Sequence, residues 1–76
     1  MNQYNPFSTF FLSIPAKGYS YVGKDGPSGW NTYAIYNNEI INWVENKPND
    51  SFKYSEINFV YSFSPELEML FLLRWQ

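Results

Sequence analysis

The sequence predicts an all-β fold, a single small antiparallel meander of five to six strands that forms a curved sheet or a small barrel. Runs of β-branched and aromatic residues alternate with Gly, Pro and Asn, which are residues that favour turns. Residues 67–75 carry an apolar side chain at every odd position, which is the period of a strand. We therefore expect residues 1–76 to form one β domain.

The aromatic content indicates how so short a chain can fold. Its 76 residues include seven Phe, seven Tyr and three Trp but no Cys, so no disulfide can stabilise the fold. Large aromatic side chains supply the apolar area that a small core needs. So many rings exceed what one small core can hide, and we expect some of them at the surface.

The first four strands are predicted between turns. A loop with three glycines spans residues 23–29, and Asn37 with Asn38 is expected to form a two-residue hairpin turn because Asn tolerates a positive φ. The predicted strands are residues 7–14, 19–22, 30–36 and 39–45.

The next run, residues 52–63, changes its alternation part-way. Phe52 and Tyr54 lie at even positions, whereas residues 57–63 carry their Ile and aromatic side chains at odd ones. A single straight strand would send these two sets to opposite faces of the sheet. Either a β-bulge near residues 55–56 or two short strands that meet there would restore one core face.

The C-terminal segment decides the fold class. Ser64, Pro65 and Glu66 have the chemistry of a helix start, with a Ser cap, a Pro in the first position and an acid in the first turn. As a helix, residues 67–75 would carry apolar side chains on every side, and so small a chain can hardly bury such a helix all round. As a strand they have one apolar face. We therefore predict a strand, and the alternative is an α+β fold with residues 65–75 as a helix.

The composition argues against enzymatic chemistry, and we expect no catalytic residue, no metal site and no cofactor. The chain has no His and no Cys, which removes the usual base of nucleophilic triads and the usual ligands of zinc. Its seven acidic residues are scattered and lack the close spacing of a calcium loop.

Charge and hydropathy restrict the partners. The net charge is −2 and the five basic residues are separated in sequence, so binding to nucleic acid is not expected. No run reaches the ~18 apolar residues of a membrane span, and no basic residue precedes the apolar stretch at residues 7–16 as in a signal peptide. We expect a cytoplasmic chain that has no contact with a membrane.

Two surfaces are candidates for contact with another molecule, and the first is apolar. In the predicted C-terminal hairpin, Val60, Leu70 and Leu72 point away from the face that carries Phe71. A single-layer sheet would leave them in water, where a contiguous apolar patch commonly marks a partner site. The occupant would be another protein or a second copy of this chain. In the alternative, residues 7–14 cover this side.

The second candidate surface is aromatic and holds Trp30, Tyr33 and Trp43. Tyr and Trp are enriched at protein hot spots, and they also make flat platforms for sugar rings. The sequence therefore predicts a non-enzymatic, small acidic protein-binding module that acts through an aromatic and apolar surface. Such a module could be an inhibitor, an immunity protein, a phage-type accessory protein or a minor subunit of a complex. The alternative is a carbohydrate-binding β-module that uses surface Trp and Tyr.

Overall fold

The structure is a computed structural model that describes residues 16–76. These residues form a four-stranded antiparallel sheet and two α-helices, together with one short 3₁₀ turn. In chain order the elements are β1 (Tyr19–Lys24), β2 (Asn31–Ile35), α1 (Asn38–Glu45), the 3₁₀ turn (Asn49–Ser51), β3 (Phe52–Ser55), β4 (Val60–Phe63) and α2 (Pro65–Trp75).

The strands lie in the order β1-β2-β4-β3, and each neighbouring pair is antiparallel. β1 with β2 and β3 with β4 form hairpins, whereas α1 connects β2 to β3 at the far edge of the sheet. The two central strands are therefore β2 and β4. A β-bulge between Tyr21 and Gly23 interrupts the register of the edge strand β1.

Both helices pack on one face of the sheet and enclose the core there. The largest fully buried side chains are Phe63, Phe71, Ile40 and Val44, which come from β4, α2 and α1. The ring centroid of Phe71 lies 4.7 Å from that of Phe63 and 4.6 Å from that of Tyr19. Close aromatic pairs of this kind add to the apolar area that a small core can bury.

Two predictions for residues 37–45 were wrong, namely the hairpin turn at Asn37 and Asn38 and the strand over residues 39–45. The helix α1 is found in their place. Asn37 caps the helix, because its Oδ1 accepts a hydrogen bond from the backbone N–H of Glu39 at 2.7 Å. Ile40 and Val44 are both fully buried and lie four residues apart, which is the spacing of one helix face. The cap and this spacing outweigh the strand preference of the β-branched residues.

The structure confirms one of the two alternatives for residues 52–63. Two short strands, β3 and β4, are joined by a turn over residues 56–59, in which Phe59 has a positive φ of 57°. The register pairs Phe52 with Phe63, so even positions of β3 and odd positions of β4 share the core face. The bulge of the described sheet lies in β1 instead.

The C-terminal segment is a helix, so the predicted all-β meander was wrong and its α+β alternative is confirmed. α2 begins after Ser64, whose Oγ accepts a hydrogen bond from the backbone N–H of Leu67 at 3.2 Å. Acidic side chains in the first turn and a basic one in the last complement the helix dipole. The prediction of a strand requires such a helix to be buried all round, whereas one apolar side of α2 remains exposed.

The strand predicted over residues 7–14 lies outside the described residues, as does the alternative in which that segment covers one side. The strands predicted over residues 19–22 and 30–36 correspond to β1 and β2 with slightly different ends. Among residues 16–76, neither helix is long and apolar enough to cross a membrane.

Candidate functional site

α2 exposes a group of large apolar side chains on one side. Leu73 is 78% exposed, Met69 is 58% exposed and Leu70 is 50% exposed. We call these three residues the α2 stripe. They are neighbours on the helix surface, because residues three and four positions apart lie on the same side of a helix. A contiguous apolar patch on a small protein commonly marks a site of contact with a partner.

The opposite side of α2 is held in the core. Phe71 is fully buried and Leu67 is only 3% exposed. The ring of Phe71 contacts Tyr19, Tyr33 and Phe63, which belong to three different strands, with centroid distances between 4.6 and 5.1 Å. This packing determines which side of the helix faces the sheet.

A polar cluster further fixes the rotation of α2 about its axis. Glu68 Oε2 accepts a hydrogen bond from the hydroxyl of Tyr33 at 2.7 Å. Asn31 Nδ2 donates to both carboxylate oxygens of Glu68, at 2.8 and 3.0 Å. Lys24 and Tyr21 donate in turn to Oδ1 of Asn31. Because Glu68 is held against the sheet in this way, the α2 stripe is held away from it.

Burial and the carboxylate of Glu68 raise the pKa of Tyr33 above its ordinary value. The hydroxyl of Tyr33 therefore stays protonated and remains a donor throughout the physiological pH range. A second bond of the same kind joins α1 to the sheet, where the hydroxyl of Tyr61 donates to Glu45 Oε2 at 3.0 Å. Both helices are thus fastened to the central strands by Tyr–Glu hydrogen bonds.

The last turn of α2 is held by tryptophan packing. The rings of Trp75 and Trp43 meet edge to face with centroids 6.3 Å apart, and Trp43 also lies 6.4 Å from Phe71. The guanidinium of Arg74 lies over the Trp75 ring, 4.9 Å from its centroid. α2 is thus fixed along its whole length, and the exposure of the α2 stripe follows from that fixed orientation.

The first predicted set of contact residues is not brought together. Leu70 belongs to the α2 stripe, but Leu72 is half-buried and packs against the core. Val60 is half-buried in β4, on the sheet face opposite the helices. A strand would have aligned Leu70 with Leu72, whereas a helix turns them well apart around its axis.

The second predicted set is also distributed over several elements. Tyr33 is only 6% exposed and lies in the core face of β2. Trp43 packs against Phe71 and Trp75, and Lys47 Nζ lies 4.4 Å from its ring centroid. Trp30 is half-buried, with Lys53 Nζ 5.2 Å from its ring centroid. These three rings do not form one exposed platform for a sugar.

Met69 and Leu73 were not predicted as contact residues, because a strand would place both on the core face with Phe71. A signal that could have found them was present in the sequence. Residues 67–75 hold more apolar side chains than one helix face can direct to a core, so a helix start at Ser64 requires that some of them face water.

A groove of about 320 Å³ lies on the sheet face opposite the helices. It is lined by Thr32 and Ser62, whose hydroxyl oxygens are 2.7 Å apart, and by Asp25. A hydrogen bond from Ser28 and the ammonium of Lys53 lower the pKa of Asp25 below its ordinary value. Thr32 and Ser62 are paired with each other between β2 and β4, and Asp25 joins the loop between β1 and β2 to β3 through Lys53.

Within residues 16–76, no three acidic side chains come together as a metal site would require. Comparison of the chain with models of known protein families, with curated proteins and with solved structures gives no significant match. Function must therefore be inferred from the surface of the described residues.

Proposed function

We propose that this chain is a non-enzymatic protein-binding module that contacts its partner through the α2 stripe. The observation that carries the proposal is the exposure of Met69, Leu70 and Leu73, each at least half exposed and all on one side of α2. Transfer of apolar side chains from water into a protein interface is favourable, and the gain grows with the area removed from water.

The rest of the described structure supports this proposal, because α2 has no freedom to bury the stripe against the sheet. Phe71 fills the core under the helix, and Glu68 is bonded to Asn31 and Tyr33. A rotation that buried Leu73 would expose Phe71 and break the bonds of Glu68. Within residues 16–76 the exposed apolar area is therefore a fixed feature of the fold, and these residues do not cover it.

The surroundings of the α2 stripe also resemble those of a protein interface. The centre of the stripe is apolar, and charged side chains lie at its two ends, Glu66 near the start of α2 and Arg74 near its end. Interfaces commonly have an apolar centre without charges and a polar rim. A patch of a few hundred Å² is about the size of the largest apolar patch on a typical monomer, and such patches are often functional.

The test is photocrosslinking with a photoreactive amino acid introduced at Leu73 in the full chain, in cells that express it. The matched control carries the same group at Asn42, an exposed polar position on α1. We expect protein adducts, either with another copy or with a different polypeptide, to form mainly from position 73. Equal adduct yields at the two positions, or no adduct at position 73, would overturn the proposal.

A further inference from the structure

We infer that the partner of the α2 stripe is a second copy of this chain, bound so that the two α2 helices run antiparallel. This inference rests on the proposed function, because it names the partner of the same surface. It is carried by the order of charged and apolar residues along the exposed side of α2.

Three exposed residues of α2 follow one another at intervals of four, namely Glu66, Leu70 and Arg74. Residues four apart lie one above the other on a helix, so these three form a single row. At a rise of about 1.5 Å per residue, Glu66 and Arg74 lie about 12 Å apart along the axis, with Leu70 midway. The row therefore carries opposite charges on the two sides of an apolar centre.

A two-fold axis that passes next to Leu70, perpendicular to the helix, places this row against the same row of a second copy in the opposite direction. The charges of the two rows are then complementary. In an antiparallel pair, Leu70 meets Leu70 of the second copy, and each Glu66 lies opposite an Arg74. Met69 and Leu73, which both lie on one side of the row, would then be covered by the same residues of the second copy. A parallel pair would instead bring Glu66 next to Glu66 and Arg74 next to Arg74. Identical surfaces that face each other across a two-fold axis are the commonest arrangement in protein dimers.

The two charged residues are available for this contact. The ion pair found within residues 16–76 joins Lys53 to Asp25, and it involves neither Glu66 nor Arg74. The contact of Arg74 with Trp75 uses the face of the guanidinium, whereas its N–H donors lie in the plane of the group and point outward from its edge. The antiparallel arrangement also pairs the two helix dipoles favourably.

The area of the stripe indicates how strong the dimer should be. The exposed parts of three side chains amount to a few hundred Å², whereas a stable interface buries about 800 Å² on each partner. We therefore expect a weak dimer that forms and dissociates with protein concentration. Its ion pairs are exposed, so higher salt should weaken them while leaving the apolar contact in place.

The test exchanges the two charges and follows association by sedimentation velocity between roughly 10 µM and 1 mM, the range in which a weak interface associates. Glu66→Arg and Arg74→Glu each turn two attractive contacts into two repulsive ones, and we expect each to raise the dimer dissociation constant roughly tenfold. A mixture of the two variants pairs unlike charges again, so it should associate at least as well as the unaltered chain. The double variant should also recover.

The outcomes separate this inference from the proposed function. If the mixture associates no better than the single variants do alone, or if the unaltered chain stays monomeric at 1 mM, the antiparallel dimer is overturned. In that case adducts from position 73 with a different polypeptide would still support the proposed function. Each variant is first shown by urea unfolding to be folded, and the salt dependence of the unaltered chain provides a second test that needs no substitution.

Discussion

The hydroxyl of Tyr33 donates a 2.7 Å hydrogen bond to Oε2 of Glu68, and this bond joins the central strand β2 to α2. Tyr33 is buried, and Asn31 donates to both oxygens of the same carboxylate. A single acidic side chain thus accepts hydrogen bonds from two polar groups of the sheet and also fixes the rotation of α2 about its axis. The exposure of the α2 stripe depends on this arrangement.

Replacement of Glu68 by Gln should destabilise the fold. The amide keeps the shape of the side chain but removes its negative charge and exchanges one acceptor oxygen for a donor. At least one of the hydrogen bonds from Asn31 and Tyr33 is therefore lost, and the others become weaker. We expect the free energy of unfolding to fall by about 1–3 kcal/mol. Glu66→Gln is the matched control on the exposed side of the same helix and should change it by less than about 0.5 kcal/mol. Urea unfolding at low protein concentration measures both, and equal losses would contradict the role given to Glu68.

The two sides of α2 should respond very differently to truncation. Phe71 is fully buried and Leu73 is 78% exposed. Phe71→Ala leaves a cavity in the core and should cost about 3–5 kcal/mol, which removes much of the stability of a small domain. Leu73→Ala should cost less than about 0.5 kcal/mol. A large loss of stability on truncation of Leu73 would mean that the stripe belongs to the core.

Gly18 should not tolerate a side chain. It has a φ of +88°, and a Cβ added there would lie 2.7 Å from the Cβ of Asn37, the cap of α1. We expect Gly18→Ala to destabilise the fold by about 1–3 kcal/mol. Gly26 has free space around it, so Gly26→Ala should be neutral or stabilise the fold by up to about 1 kcal/mol. Thermal unfolding compares the two, and the same effect from both would contradict this explanation.

Stability should fall at alkaline pH. Burial and the hydrogen bond to Glu45 raise the pKa of Tyr61 from 10.0 to about 12. The stabilisation that the folded chain gains from protonated Tyr61 is complete below pH 10, where both the folded and the unfolded chain hold the proton. As the pH rises from about 10 to 12, the unfolded chain releases the proton first and the free energy of unfolding decreases. Tyr33, whose pKa is also raised, acts in the same direction.

Urea unfolding at a series of pH values tests this prediction. The loss above pH 10 should be smaller in Tyr61→Phe and in Tyr33→Phe than in the unaltered chain, because each variant lacks one of the groups that titrate. An unaltered chain whose free energy of unfolding is constant up to pH 12 would contradict it.

The sequence predicted the parts of the fold that depend on local patterns. β1, β2 and the change of alternation within residues 52–63 were visible in the distribution of aromatic and turn-forming residues. α1 was not predicted, and α2 was given only as the alternative, because tertiary packing decides between a strand and a helix when apolar residues are dense. In α1 the decisive feature is the cap at Asn37 together with the burial of Ile40 and Val44.

The error at α2 has a direct physical cause. The prediction of a strand rests on the requirement that a helix with apolar residues on every side must bury all of them. The structure instead buries Leu67 and Phe71 and leaves Met69, Leu70 and Leu73 exposed. The pattern that argued against a helix in the sequence is therefore the same pattern that supports a binding surface in the structure. Leu70 was predicted as a contact residue, although on the wrong element.

Disulfide trapping most directly tests whether α2 pairs with α2. The chain has no native Cys, so a single Leu70→Cys substitution introduces one defined thiol. A two-fold axis at this position would bring the two thiols of a dimer together at a Cα separation of about 4–7 Å, which suits a disulfide. In Glu66→Cys the two thiols would lie about 12 Å apart along the helices. We predict rapid formation of a disulfide-linked dimer from Leu70→Cys under mild oxidation and little from Glu66→Cys, whereas equal rates for the two variants, or faster trapping of Glu66→Cys, would contradict the antiparallel dimer.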